Sequence, residues 1–161
     1  MIPDELIQKI LNQNTFNQGF MTTELLAAAI LDMNLHNLTE IDQLDVIAFE
    51  KEMMDQLKLI PQIAPRYRVT YFNHIIGGYS AGYYSYKWSE MLDADAFSVF
   101  KERGLFSREA GEEFRRKLLE KGGTVHPMTL YKDFRGQEPS IEALLRRNGI
   151  VPEKKIKERI D

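Results

Sequence analysis

The chain has 161 residues, 43% of them hydrophobic and 28% charged, and no cysteine. That length suits one domain burying roughly 70% of its unfolded surface, and the composition excludes a disordered segment, a fibrous repeat or a disulfide-stapled miniprotein. Its 21 basic and 24 acidic residues leave a net charge of −3, without the surplus that drives binding to a phosphate backbone, so nucleic acid is not an expected partner. The lack of thiols removes cysteine-ligated zinc, iron–sulfur clusters and a thiol nucleophile.

Met1-Ile2-Pro3-Asp4-Glu5 carries acids where a secretory leader starts basic, and the longest apolar run, residues 25–31, is too short for a bilayer. No membrane partner is expected. The compartment expected is the cytoplasm, although a cysteine-free chain suits the periplasm equally.

Pro3, Asp4 and Glu5 make a good first helical turn, since proline gives up no needed N–H there and acids face the positive end of the helix dipole. Leu6, Ile7, Ile10 and Leu11 follow as one stripe. Residues 19–36 place Leu25, Leu26, Ala29, Ile30 and Met33 at helical spacing, which predicts a central, much-buried helix. Thr39 and Asp42 resemble a cap for a next helix with Leu44, Ile47, Met54 and Leu57 as apolar positions, ended by Pro61 and Pro65. Further helices are predicted over 80–100, over 107–121 with Gly122 and Gly123 as the stop, over 128–134, and from Pro139-Ser140 to Asn148-Gly149. Residues 125–127 and 67–71 read as locally extended, and no alternating run with hairpin chemistry occurs. The fold class is therefore all-α, with residues 1–150 as one helical portion and 151–161 as a charged tail, solvated and frayed.

The chemically unusual stretch is residues 74–88, where His74 precedes Gly77-Gly78 and four tyrosines. On a helix Tyr79, Tyr83 and Tyr86 fall at i, i+4 and i+7, so three phenols share one arc. A phenol with an ordinary pKa of about 10 is protonated at neutral pH and donates to an oxygen that gains negative charge, and Gly77-Gly78 permits the loop bearing His74 to fold back toward the same cavity. The bland alternative is that aromatics at this spacing are packing residues. Three hydroxyls on one face argue for a polar cleft, because each buried hydroxyl needs a partner.

These residues also carry a resemblance. Phe16-Asn17-Gln18-Gly19-Phe20, Glu24-Leu25-Leu26, Leu31-Asp32-Met33, Pro65-Arg66-Tyr67-Arg68, Tyr71-Phe72-Asn73-His74, Gly77-Gly78-Tyr79, Gly82-Tyr83-Tyr84-Ser85-Tyr86, Trp88 and Asp93-Ala94-Asp95-Ala96-Phe97 belong to it. So do Gly122-Gly123, Phe134-Arg135-Gly136 and Glu138-Pro139-Ser140-Ile141. Over about residues 3–150 the chain resembles the C-terminal part of the thimet oligopeptidase family of zinc peptidases, of the peptidyl-dipeptidase and oligopeptidase A type. The resemblance implies a helical, two-lobed, channelled protein in which zinc activates water for cleavage of short peptides. By motif, His74 matches a substrate-holding histidine, Tyr79 and Tyr86 match tyrosines at the scissile carbonyl and developing oxyanion, Tyr83 a neighbouring substrate-side tyrosine, and Gly77-Gly78 the flexible loop before them.

One departure decides the mechanism expected. The family's metal site needs two histidines one helical turn apart with a glutamate between them. The three histidines here, His36, His74 and His126, are 38 and 52 residues apart, so no pair shares a helix face. The expectation is the C-terminal portion of a longer peptidase, with half an active site, no metal ligands or cofactor of its own, and a missing N-terminal metal-binding lobe as partner. Zinc is implied only for the complete family member, and the isolated chain is expected not to hydrolyse peptides.

The alternatives are a non-enzymatic helical module binding peptides or a protein partner in the tyrosine groove, and a different enzyme using His74 and the tyrosines as acid and base. Arg66 and Arg68 could grip a peptide carboxylate or belong to a solvated loop. Arg135 reads as structural. The charged residues 101–103 and 112–117 read as solvated helix faces. Exposed apolar surface on a chain severed from its other lobe would favour self-association.

Overall fold

A computed structural model describes residues 2–151 of the chain. Among the described residues every regular element is helical, and they fall into two compact units, one ending at Tyr86 and the other beginning at Lys87. No described helix is long and apolar enough to cross a membrane. The predicted charged tail, from residue 152 onward, lies outside the described residues.

In the first unit, α1 (Asp4–Thr15) starts behind Pro3 as its residue types require, but none of its residues is buried. The stripe of Leu6, Ile7, Ile10 and Leu11 stays 42–54% exposed. Helix α2 (Gln18–His36) buries Ala27, Ala28, Ala29, Leu31 and Asp32, but of the stripe expected to be buried only Ala29 is, and Leu26, Ile30 and Met33 remain 39–44% exposed, because the small alanine face is the one that packs against Phe72 and Tyr83. Helix α3 (Val46–Gln56) is capped by Asp45, whose side chain accepts from Ile47 N and Ala48 N at 3.0 Å, and not by the Thr39–Asp42 pair. Asp45 wins because it stands immediately before the first helical residue, where an acceptor meets the orphan amides.

Arg68 is extended, as expected for this stretch, and Val69–Tyr71 then closes a 3₁₀ turn. The short α4 (Asn73–Ile76) ends at Gly77. The core of this unit joins Ala28 and Ala29 of α2 to Phe72 and Tyr83, with Leu25, Tyr67 and Ile75 packed around them.

Helix α5 (Ser85–Arg103) departs from the sequence expectation, which began it at residue 80. Residues 79–84 are turns, with Gly82 N donating to Tyr79 O and Ser85 N to Gly82 O, and Ala81 stands in the left-handed region at φ 52°.

The second unit contains the rest of α5, α6 (Arg108–Phe114), α7 (Pro127–Arg135) and α8 (Glu142–Arg147). Its core is Ala96, Val99, Ala110, Tyr131 and Phe134, with Leu92, Phe100, Phe114 and Leu118 against it. The predicted helix over 107–121 widens at Arg115–Leu119 into a π turn, closed by Glu120 N on Arg115 O at 2.8 Å. His126 caps α7 through Nδ1, and Gly136 ends it at φ 78°.

Candidate functional site

The first unit gathers Tyr79, Tyr83 and Tyr86, which the sequence singled out, around His74, and adds Tyr67 and Phe72, which it did not. His74 has Tyr67 at 4.9 Å, Tyr83 at 5.1 Å, Phe72 at 5.9 Å, and Tyr79 and Tyr86 each at 6.0 Å between centroids. Tyr79 and Tyr86 stack almost parallel at 5.3 Å, and Tyr83 meets Tyr86 at 5.2 Å. Packing of offset or edge-on rings at these distances stabilises a cluster beyond its buried area.

The route to this cluster is not the helical arc. The chain turns at Gly78, whose φ of 111° is a conformation that side chains disfavour, so that Tyr79 N donates to His74 O at 2.9 Å. Gly77 is confined as well, since a Cβ there would lie 3.1 Å from the Asn73 carbonyl oxygen. The diglycine thus returns Tyr79 to His74, and the 79–84 turns deliver Tyr83 and Tyr86.

The three phenols are not equivalent. Tyr79 and Tyr86 are each 41% exposed, whereas Tyr83 is 3% exposed and belongs to the core. One of the three rings is therefore a packing residue as well as a neighbour of the site. Burial pushes the Tyr83 phenol above its ordinary pKa, opposed by the Arg66 guanidinium close to it. The Tyr86 phenol is also raised, chiefly by its hydrogen bond with the Tyr79 hydroxyl and then by burial. Both shifts keep the hydroxyls protonated, and so able to donate, at neutral pH. The His74 Nδ1 atom is buried without a protein hydrogen-bond partner among the described residues, an unmet polar group pointing to something else at this position.

Two carboxylates to which the sequence assigned no role, Asp32 within a resembling segment and Glu50 outside any, hold the loops around these rings. Asp32, fully buried on α2, accepts Ala81 N and Tyr83 N, both at 2.9 Å, on its two oxygens. Glu50, 3% exposed on α3, accepts Val69 N at 2.8 Å and Arg68 Nε at 2.9 Å. Their signal in the sequence is an acid on an apolar stripe: Glu50 lies three residues after Ile47 and four before Met54, and Asp32 four after Ala28.

Arg66 pairs with Glu24 at 2.8 Å. Burial lowers its pKa, but the net shift is upward because Tyr83 and Glu24 outweigh that effect. Arg68 is committed to Glu50. Both arginines are thus tied into the unit and are not simply solvated. In the second unit Arg135 faces the buried Asp95 at 3.4 Å, as its structural reading expects.

Among the described residues no three His, Cys, Asp or Glu side chains form a group that could hold an ion. His36 Nδ1 is turned to Asp32 at 2.9 Å, His126 caps α7, and His74 is enclosed by rings.

Comparison with known proteins agrees with the motifs. The chain is 42% identical over 156 residues to the dipeptidyl carboxypeptidase of Escherichia coli, covering 92% of this chain and 22% of that protein. A probable cytosolic oligopeptidase A of Arabidopsis thaliana is 37% identical over 93% of the chain and 22% of its own length. Oligopeptidase A of Haemophilus influenzae is 36% identical over the same shares. The chain therefore spans about a fifth of the length of the curated relatives it matches. Residues 1–150 match the family described as Peptidase family M3, and with nearly the whole chain inside that match, this protein belongs to peptidase family M3.

Proposed function

We propose that this chain is the C-terminal, substrate-side portion of a zinc-dependent oligopeptidase or peptidyl-dipeptidase, inactive by itself and contributing side chains to hydrolysis of short peptides. The observation that carries this reading is the pair of stacked, half-open phenols Tyr79 and Tyr86 beside a buried, unpartnered His74 nitrogen. In this reading Tyr79 and Tyr86 donate to the carbonyl oxygen as it gains charge, an effect worth roughly 10²–10³-fold in rate per donor in a water-poor site. His74, Tyr83 and the Gly77-Gly78 turn line the substrate side. In this reading the metal and its water are supplied by an N-terminal metal-binding lobe, since the three histidines of the sequence lack the paired spacing such a site needs. The cytoplasm is the compartment proposed, supported by the cytosolic designation of the Arabidopsis relative.

A second reading, a non-enzymatic peptide- or protein-binding module, is favoured by one fact: the ring cluster is built wholly from residues 67–86 of a single unit. Mixing the chain with the metal-bearing remainder of the E. coli dipeptidyl carboxypeptidase separates the two. Recovery of zinc-dependent peptide hydrolysis that Tyr86→Phe then weakens is the result expected. A stable complex without hydrolysis would favour the binding module.

A further inference from the structure

Asp32 is fully buried, and a carboxylate taken from water persists only where its lone pairs are met by donors. Here the donors are specific. Oδ1 receives Ala81 N and Oδ2 receives Tyr83 N, each at 2.9 Å, from a segment 49 and 51 residues away. His36, one turn later on α2, places Nδ1 2.9 Å from Oδ1 and equally near the Asp32 carbonyl oxygen. The carboxylate's orientation is set by the two backbone amides, one on each oxygen.

The segment so held is one the sequence would otherwise make helical. Residues 79–86 have helical spacing and run directly into α5, yet Ala81 sits at φ 52°, a conformation unfavourable for a residue with a Cβ. Two amides donated to one carboxylate offset that strain, and the turn they stabilise carries Tyr83 inward while Tyr79 and Tyr86 stack beside His74.

We propose that Asp32 is the positioning residue of this aromatic site: its carboxylate, by holding the Ala81 and Tyr83 amides, stops α5 from extending through residues 80–84 and so sets the geometry of Tyr79 and Tyr86. Its consequence for catalysis rests on the proposed peptidase function, whereas its consequence for geometry does not.

The test uses the full chain in solution, comparing wild type with Asp32→Asn. Asparagine keeps the shape but sets an NH₂ donor against one of the two amides. The control is Asp95→Asn, which alters a buried carboxylate of the second unit. The expected result is that Asp32→Asn, still helical by circular dichroism, loses the nuclear Overhauser contacts between the Tyr79 and Tyr86 rings. Its Ala81 and Tyr83 amides should exchange at least tenfold faster, and its 80–84 backbone shifts should move toward helix; Asp95→Asn should change none of these.

A folded Asp32→Asn chain that keeps the ring contacts and the amide protection overturns the proposal. If that variant does not fold, the wild type alone decides: Ala81 and Tyr83 amides exchanging at the rate of unprotected ones overturn it, and protected ones bear it out. In the reconstituted enzyme, Asp32→Asn is expected to lower kcat more than tenfold with KM less affected. A wild-type chain that never supports hydrolysis would instead defeat the peptidase reading and leave the amide and ring measurements to judge Asp32.

Discussion

The carboxylate of Asp32 accepts the backbone N–H of Tyr83 at 2.9 Å across 51 residues of chain. This bond joins the most buried helix of the first unit to the turn that carries its tyrosines. It is one of three contacts of the same kind: Glu50 takes the N–H of Val69 and Asp95 that of Ser140, the latter at 3.4 Å. In each case an acid on an apolar helix face ties down a distant loop, satisfying amides that would otherwise be stranded.

The two open phenols should be dispensable for folding and needed for chemistry. Tyr79→Phe and Tyr86→Phe each remove a hydroxyl from a ring that is 41% exposed, so thermal unfolding should be little changed. In the reconstituted enzyme each should lower kcat by roughly 10²-fold, as loss of an oxyanion donor does. Unchanged kcat in both would remove the chemical role.

Gly78 should resist substitution although space is open around it. No heavy atom lies within 4 Å of a Cβ built there, but its φ is 111°. Gly78→Ala is therefore expected to cost about 1 kcal/mol or more through backbone strain and to disturb the Tyr79–His74 approach. Denaturant titration and the Tyr79 ring shifts measure the two effects.

Asp95 anchors the second unit. The Tyr131 hydroxyl donates to it at 2.7 Å, and burial together with that bond holds the phenol far above its usual pKa. Tyr131→Phe should destabilise the chain by about 1–3 kcal/mol, the cost of leaving a buried acceptor short of a donor. An unfolding midpoint within error of wild type would contradict this.

Acid should weaken the second unit through Glu113. Hydrogen bonds from Arg103 and then Lys117 hold its carboxyl down at about 2. Because this folded value lies below the unfolded one, the stabilisation is fully present above about pH 4.5 and is lost as pH falls toward 2. Wild type and Glu113→Gln should thus differ in melting temperature at pH 6 and converge near pH 2. Parallel curves across that window would count against the pairing.

Exposed apolar surface should make the chain self-associate. Phe106 is 99% exposed, Leu119 58% and Trp88 48%, and the α1 stripe is open along its length, apolar surface that a second copy can cover. Sedimentation should show association growing with concentration and reduced by Ile7→Lys with Leu11→Lys. Monomeric behaviour at high concentration would refute it.

What the sequence determined by itself is the class of fold and most element positions, since helical periodicity, the leading proline of α1 and the Asn148-Gly149 stop after α8 act within a few residues. It also named four of the cluster's rings, His74, Tyr79, Tyr83 and Tyr86, because residue type and motif suffice for that, but gave no role to Tyr67 and Phe72. It did not determine how they meet. Local spacing favours continuing α5 back through Tyr83 and Tyr79, and only a carboxylate from α2, remote in sequence, outbids it by taking two amides of the turn. Nor could spacing separate the buried Tyr83 from the open Tyr79 and Tyr86, because exposure depends on Phe72, Ala28 and Ala29, which only folding brings alongside. Local propensity sets the elements, and long-range satisfaction of buried polar groups decides where they stop and which way their side chains face.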